Sequence, residues 1–336
     1  MSQLTAAGIR QLFKQAGAGF VRDKVPKLSA ALAYYTVFSL GPMLIVILYI
    51  TNFFWRREAI EGRLFGQIRE LTGATTASQI QEVMQNAALD GNTSLAAAIG
   101  LLTLLVAATS VFAEMQDSIN SIWQLKIRPD AGWFTMVRTR LLSFSLVISL
   151  GFLLLVSLVL NGLAEGLMDN LQAYFPQAKV LLVYAINQLF TLLLTSSLFA
   201  IIYKVLPDAH IRWKDVAVGA VFTAVLFMAG RFGITFYIRS SNVGTAYGTA
   251  GSLVVLLVWV YYSSLILYFG AECTKCYAVM YGDNIQADKY AMVVQTVQVE
   301  SKHGNVQVNE QNREYTEKEL QKVKDTLDKN NGPLDH

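Results

Sequence analysis

The sequence predicts an all-α, polytopic membrane protein of about six transmembrane helices with short amphipathic interfacial helices, and three observations predict it. The chain of 336 residues is 54% hydrophobic and only 15% charged, with positive mean hydropathy, which is more apolar surface than a water-soluble core of this length has to bury. That apolar surface is gathered into long runs, several of them beyond the roughly 20 residues needed to cross about 30 Å of hydrocarbon at about 1.5 Å per residue. The lysines and arginines are concentrated in alternate connections between those runs, as expected for a chain threaded back and forth through a bilayer.

Five runs are free of charge: Leu28 to Trp55, Gly91 to Ala113, Leu141 to Ala164, Val180 to Tyr203 and Ser240 to Ala271. A sixth, Val216 to Ile238, is interrupted by Arg231 alone. A charge at a span centre costs about 2.5–3.5 kcal/mol, which Val, Leu, Ile and Phe at about −0.3 to −0.6 kcal/mol each offset. Arg231 also lies late in its run, within snorkelling reach of the interface.

Charge placement sets the expected orientation. Arg10, Lys14, Arg22, Lys24 and Lys27 precede the first span, Lys126, Arg128, Arg138 and Arg140 join the second to the third, and Lys204, Arg212 and Lys214 join the fourth to the fifth. The connection after the third span offers only Lys179 beside Glu165 and Asp169. Both termini are therefore expected in the cytoplasm. The first loop, with Arg56, Arg57, Arg63 and Arg69 among acidic neighbours, is the one dissonant segment. The first apolar run is too long for the hydrophobic region of a cleavable signal peptide and reads as a retained anchor.

The expected organisation is a cytoplasmic amphipathic segment over 1–27, a six-span domain over 28–281 and a polar, largely disordered cytoplasmic tail over 282–336. In the first segment Ile9, Leu12, Phe13, Ala16 and Phe20 recur at helical spacing, consistent with a helix on the inner leaflet or with one packed on cytoplasmic loops. In the first loop Ile60, Leu64, Ile68 and Leu71, a capping pair at Ser78 and Gln81, and the Asp90-Gly91 turn suggest a small helical cap. The tail has too few large apolar residues to offset the entropy of ordering, apart from a short helix over Thr316 to Lys329.

Polar groups at membrane depth are the natural candidates for function, because hydrocarbon offers them no partner. They are Tyr34, Tyr35, Thr36 and Ser39 in the first span, Asn187 and Gln188 in the fourth, Arg231 in the fifth, and Tyr261, Tyr262 and Glu272 in the sixth. The competing account is interhelical hydrogen bonding and aromatic anchoring at the interface. Pro42 removes a helix hydrogen bond within the first span. The small residues from Gly244 through Tyr247 to Gly251 favour close helix packing. Cys273 and Cys276 form a lone CxxC pair without the two further ligands of a zinc site or the βαβ context of a thiol oxidoreductase. With His210, His303 and His336 scattered, and no nucleophile elbow or phosphate-binding loop, the sequence points away from an enzyme and calls for no cofactor or metal.

Several segments together resemble the YihY/BrkB family of bacterial inner-membrane proteins. They are Asp23 to Leu40, with its Ala33-Tyr34-Tyr35-Thr36; Glu114-Met-Gln-Asp117-Ser-Ile-Asn120-Ser-Ile-Trp123; Leu206-Pro-Asp-Ala209; and Ser240 to Gly248, with Tyr247, followed by Trp259-Val-Tyr261-Tyr262. The resemblance spans about residues 10 to 280 and implies six spans in the inner membrane. It also brings two labels, a virulence or serum-resistance factor and ribonuclease BN. The second is generally regarded as a misassignment, and the basic residues here follow topology rather than nucleic-acid contact. Members have been discussed as envelope lipid or solute transporters, and no established catalytic residues carry over. The expected function is thus transport, or assistance to transport, of an envelope lipid or small solute, with membrane lipids and envelope proteins as partners. A non-transporting envelope scaffold is the alternative, and oligomeric state is left open. Asp23, Glu114, Asp117 and Asn120 are expected near the cytoplasmic mouth, with Asn187 and Arg231 deeper or nearer the outer face.

Overall fold

The computed structural model describes residues 5–52, 94–129, 179–241, 247, 251–294, 318 and 321. Among them are six helices: α1 (Ala6–Arg22), α2 (Val25–Asn52), α3 (Ser94–Ile122), α4 (Lys179–Val205), α5 (Trp213–Ser240) and α6 (Gly251–Tyr281). Three of the described segments, Gln188–Val205, Trp213–Ile238 and Leu253–Tyr281, are long and apolar enough to cross a membrane. The third run of the sequence, over 141–164, and the cap expected in the first loop lie outside the described residues, as does most of the tail helix.

α1 begins where the Thr5 hydroxyl accepts the Gly8 amide, an N-cap that satisfies one orphan donor. It ends at Asp23, and Lys24, with φ of 53°, turns the chain into α2, whose first turn carries Pro26, where a missing amide costs nothing. α2 then continues through Pro42 to Asn52. Its hydroxyls bond back into their own helix: Thr36 Oγ1 donates to the Leu32 carbonyl at 2.7 Å and Ser39 Oγ to the Tyr35 carbonyl at 2.6 Å. This is how an apolar span carries Ser and Thr without leaving a donor stranded in hydrocarbon.

A close helix contact joins α5 to α6. Gly219 and Thr223 lie one turn apart on α5, Gly270 and Thr274 one turn apart on α6, and each glycine meets the other helix's threonine. Added Cβ atoms would stand 1.9 Å from Thr274 Oγ1 and 2.0 Å from Thr223 Oγ1, so only hydrogen fits at both places. Each threonine hydroxyl bonds to the carbonyl of the glycine on its own helix at 2.7 Å. The reciprocal order of the contacts makes α5 and α6 antiparallel. Tyr203 of α4 fastens the same seam, its phenol donating to the Leu267 carbonyl at 2.7 Å beside Thr223 Oγ1 at 3.1 Å.

The all-α expectation needs one amendment. Two short antiparallel pairs, β1 (Leu125–Ile127) with β4 (Ala291–Val293) and β2 (Ala209–His210) with β3 (Gln286–Ala287), gather at the end of the bundle where α3 and α4 finish and α5 begins. Asp288 adds to this by donating its amide to the Asp208 carbonyl at 3.0 Å. The compositional change near Gly282 is therefore not the edge of the folded body. One compact unit runs from Met1 to Val293, and a second comprises Val294–His336. In the stretch after α6 the short strands pair through backbone at the bundle end, while Ile285 and Ala287 pack against the hydrophobic core and Ala291 is buried.

Candidate functional site

α1 lies antiparallel along the last turns of α6. Leu12, Ala16 and Gly19 form its buried stripe: Leu12 and Ala16 cluster with Cys273 and Cys276, while Gly19 meets Glu272 and Gly8 meets Tyr281. Both thiols are free and buried under the helix. Of the two placements left open for this segment, packing on the protein is what is seen, though against a long apolar helix rather than against loops. Aromatic rings carry the contact onward: Phe13 meets Phe222 of α5 at 5.3 Å between centroids, and Phe20 meets Phe269 at 5.9 Å. Ile9 and Phe13 stay partly exposed.

At the foot of this contact is a charged cluster. Arg22 grips Asp23 with two hydrogen bonds, Nε to Oδ1 at 2.9 Å and a terminal nitrogen to Oδ2 at 3.1 Å. Lys275 reaches in from α6, its Nζ 3.4 Å from Asp23 Oδ2 and 3.5 Å from Glu272 Oε2, with its shortest bond, 2.5 Å, to the carbonyl of Ile122 at the end of α3. That carbonyl is one a helix end leaves without a partner, at the negative pole of the helix dipole, so a lysine there is doubly favoured. Lys275 thereby ties together α3, α6 and the α1–α2 turn. Glu272 is 1% exposed, and no donor reaches its Oε1. Burial by itself pushes the Asp23 carboxyl up, but its bonds to Arg22 and Glu272 and the charge of Lys275 outweigh that and hold it below the ordinary carboxylate range. The same pairing holds the Arg22 guanidinium above its ordinary value against the opposing effect of burial.

A second polar group lies close by. Asn120 clamps the connection between α4 and α5 from both sides, its Nδ2 donating to Asp208 Oδ2 at 2.8 Å and its Oδ1 accepting the Asp208 amide at 3.0 Å. Gln116, one turn earlier on α3, adds a bond to the same Oδ2 at 3.2 Å. Trp123 completes the junction, its indole N–H bonding the Ala271 carbonyl at 3.1 Å in a fully buried contact. Buried polar groups this well paired hold a loop in register.

The structure thus brings Asp23 and Glu272 into one cluster and seats Asn120 in the neighbouring clamp. Glu114 lies on α3, its carboxylate 3.4 Å from Ser118 Oγ, and Asp117 is exposed on the same helix. Tyr34 and Tyr35 are exposed on α2 and pack edge to face with each other at 5.8 Å. Arg231 is exposed on α5, and Tyr247 is exposed as well. Asn187 lies on α4, its side chain outside the described residues.

Five participants were not among the sequence candidates for the site: Arg22, Lys275, Asp208, Gln116 and Trp123. Lys275 carried a signal, a cation three residues beyond Glu272 near the end of an apolar helix, where the two share a face. Asp208 and Gln116 stand within two of the segments that resemble the family, Leu206-Pro-Asp-Ala209 and Glu114-Met-Gln-Asp117, but nothing in the local pattern shows that they meet. Among the described residues no group of three or more His, Cys, Asp or Glu side chains stands close enough together to hold a metal ion.

Comparison with known proteins agrees with this architecture. The chain is 27% identical over 267 residues to a UPF0761 membrane protein of Pseudoalteromonas atlantica, an alignment covering 77% of this chain and 83% of that one. It is 28% identical over 255 residues to a counterpart in Alteromonas mediterranea, covering 75% and 82%, and 27% identical over 276 residues to one in Vibrio vulnificus, covering 77% and 82%. No solved structure matches the chain. The family model described as virulence factor BrkB matches residues 16–293, ending where the compact unit ends, and the chain is an integral membrane protein belonging to that family.

Proposed function

We propose that this protein is a six-span transporter, or transport accessory, for an envelope lipid or small solute, residing in the bacterial inner membrane with both termini in the cytoplasm. It is not an enzyme in this reading. The observation that carries it is the charged cluster of Asp23, Glu272 and Lys275, set where a 31-residue apolar helix leaves the bilayer. At about 1.5 Å per residue that helix reaches about 46 Å, well over the roughly 30 Å of hydrocarbon, so Glu272 falls near the edge of the crossing. Ionisable groups at such depth are costly, and their usual use is to handle ions or polar substrates. The concentration of Lys and Arg at this end of the bundle, in Lys126, Arg128, Arg212 and Lys214, supports a cytoplasmic placement.

The test is native mass spectrometry of protein released gently from membranes. A phospholipid or lipid-linked molecule retained reproducibly by wild type, with occupancy falling in Asp117→Asn and Arg231→Gln, supports the transport reading. Bulk lipid unaffected by either change counts against a lipid substrate. The alternative of an envelope scaffold draws on the separate unit from Val294 to His336. Deleting that unit after Val293, beyond the last paired strand, abolishes partner recruitment for a scaffold and leaves a transporter core running.

A further inference from the structure

The charge count at the foot of α1 does not balance around Glu272. Asp23 is fully served, with two bonds from Arg22 and a share of Lys275. Lys275 spends its shortest bond on the Ile122 carbonyl and approaches Glu272 only at 3.5 Å. Among the described residues Glu272 Oε1 has no donor, in a position that water does not reach. The remaining groups around it do not help. Its own helix offers the neutral thiols Cys273 and Cys276, α1 presents the backbone of Gly19 against the carboxyl, and α3 contributes the Ile122 carbonyl, an acceptor. On α5 the acidic Asp215 faces Gly282 instead. A carboxylate so placed would be a buried charge with one weak partner, beside the Asp23 carboxylate that the same Lys275 ammonium approaches at 3.4 Å. Two ionised carboxylates share only the Lys275 ammonium, at 3.4 and 3.5 Å, and have no direct bond to each other, whereas one proton supplies it.

We propose that Glu272 is a proton-binding site, its carboxylic acid donating a hydrogen bond to the Asp23 carboxylate, and that this proton is the coupling ion of the transport cycle. Release breaks the Glu272 O–H bond and passes the proton through the Asp23 carboxylate, whose side chain is 11% exposed, to water at the α1 side, leaving two like charges facing each other between α6 and the α1–α2 turn. The repulsion then loosens α1 from α6, and rebinding of a proton closes the contact again. Lys275, held by the end of α3, limits the repulsion without removing it. The coupling role rests on the transport reading above; the proton site does not.

The test is infrared difference spectroscopy of the full-length protein in lipid nanodiscs near neutral pH, following the carboxylic-acid C=O stretch, with no transport measured. Wild type shows a protonated-carboxyl band that shifts on exchange into deuterium oxide. Glu272→Gln removes that band, and Asp23→Asn moves it, because the acceptor changes from a carboxylate to an amide. A wild-type spectrum without such a band, or a band that survives Glu272→Gln, overturns the proposal. If Glu272→Gln does not fold, the Asp23→Asn spectrum decides alone, an unmoved band refuting the shared proton. A proton site established in this way would stand even if no transported substrate were found, so the failure of either reading shows separately.

Discussion

Gly19 is the position at which the docking of α1 is most open to attack. A Cβ added there stands 2.6 Å from Glu272 Oε2, 2.8 Å from its carboxyl carbon and 2.9 Å from Oε1, where ordinary contact begins near 3.4 Å. The obstructing carboxyl is fully buried, so it cannot swing into solvent, and α1 must lift by several tenths of an ångström. Overpacking of this kind costs about 1–3 kcal/mol, which at about 1.4 kcal/mol per factor of ten raises the undocked fraction about five- to 150-fold. The protein supplies its own reporter. Its two cysteines, Cys273 and Cys276, lie beneath α1 and are 4% and 8% exposed. When α1 recloses faster than reagent attacks, the rate of maleimide labelling follows the undocked fraction. Gly17→Ala is the matched control, because a Cβ there meets nothing within 4 Å while the gain in helix propensity is the same. The Gly19→Ala protein is expected to label at least about fivefold faster than Gly17→Ala at one fixed pH. Equal rates would refute the account of how α1 is held.

Asn120→Ala removes both hydrogen bonds to Asp208, one of them to a carboxylate, and is expected to destabilise the protein by about 1.5–3 kcal/mol, read as a lowered thermal midpoint in nanodiscs. A midpoint within error of wild type would show that the clamp contributes nothing. The pH dependence of Asp23 has a definite sign. Its carboxyl is held below the ordinary value of 3.8 in the folded protein, so its contribution is complete above the unfolded value and is lost as pH falls through the folded one. Wild type should therefore lose stability relative to Asp23→Asn in that acid window, and parallel curves there would contradict the pairing with Arg22 and Lys275.

Much of the architecture was legible in the sequence, for a physical reason. Hydrocarbon imposes a length and an apolar composition on each span, both of which are local, so the runs beginning near Leu28, Gly91, Val180 and Val216 start within a few residues of α2, α3, α4 and α5, although the second stops at Ala113 while α3 continues to Ile122. The run ending at Ala271 stopped ten residues short of the end of α6, because hydropathy fades where the helix leaves the apolar layer while its backbone hydrogen bonding does not. The amphipathic stripe of α1 was equally local. It showed that the helix has an apolar face but not what that face covers.

Tertiary structure decided which polar residues meet. Asp23 and Lys275 are 252 positions apart, and Asn120 and Asp208 are 88 apart. Their encounters depend on which helices neighbour one another and at what height, which no single run of sequence records. The strand pairs after α6 were invisible for a related reason: two or three residues are too few to show an alternating pattern, and backbone pairing asks little of side chains. The sequence by itself determined that this chain lives in a membrane and roughly where its spans run, because lipid acts on each segment separately. Only packing decided that one buried carboxyl oxygen, Glu272 Oε1, stands beside Asp23 without a donor among the described residues, because what a buried oxygen lacks is set by all of its neighbours together.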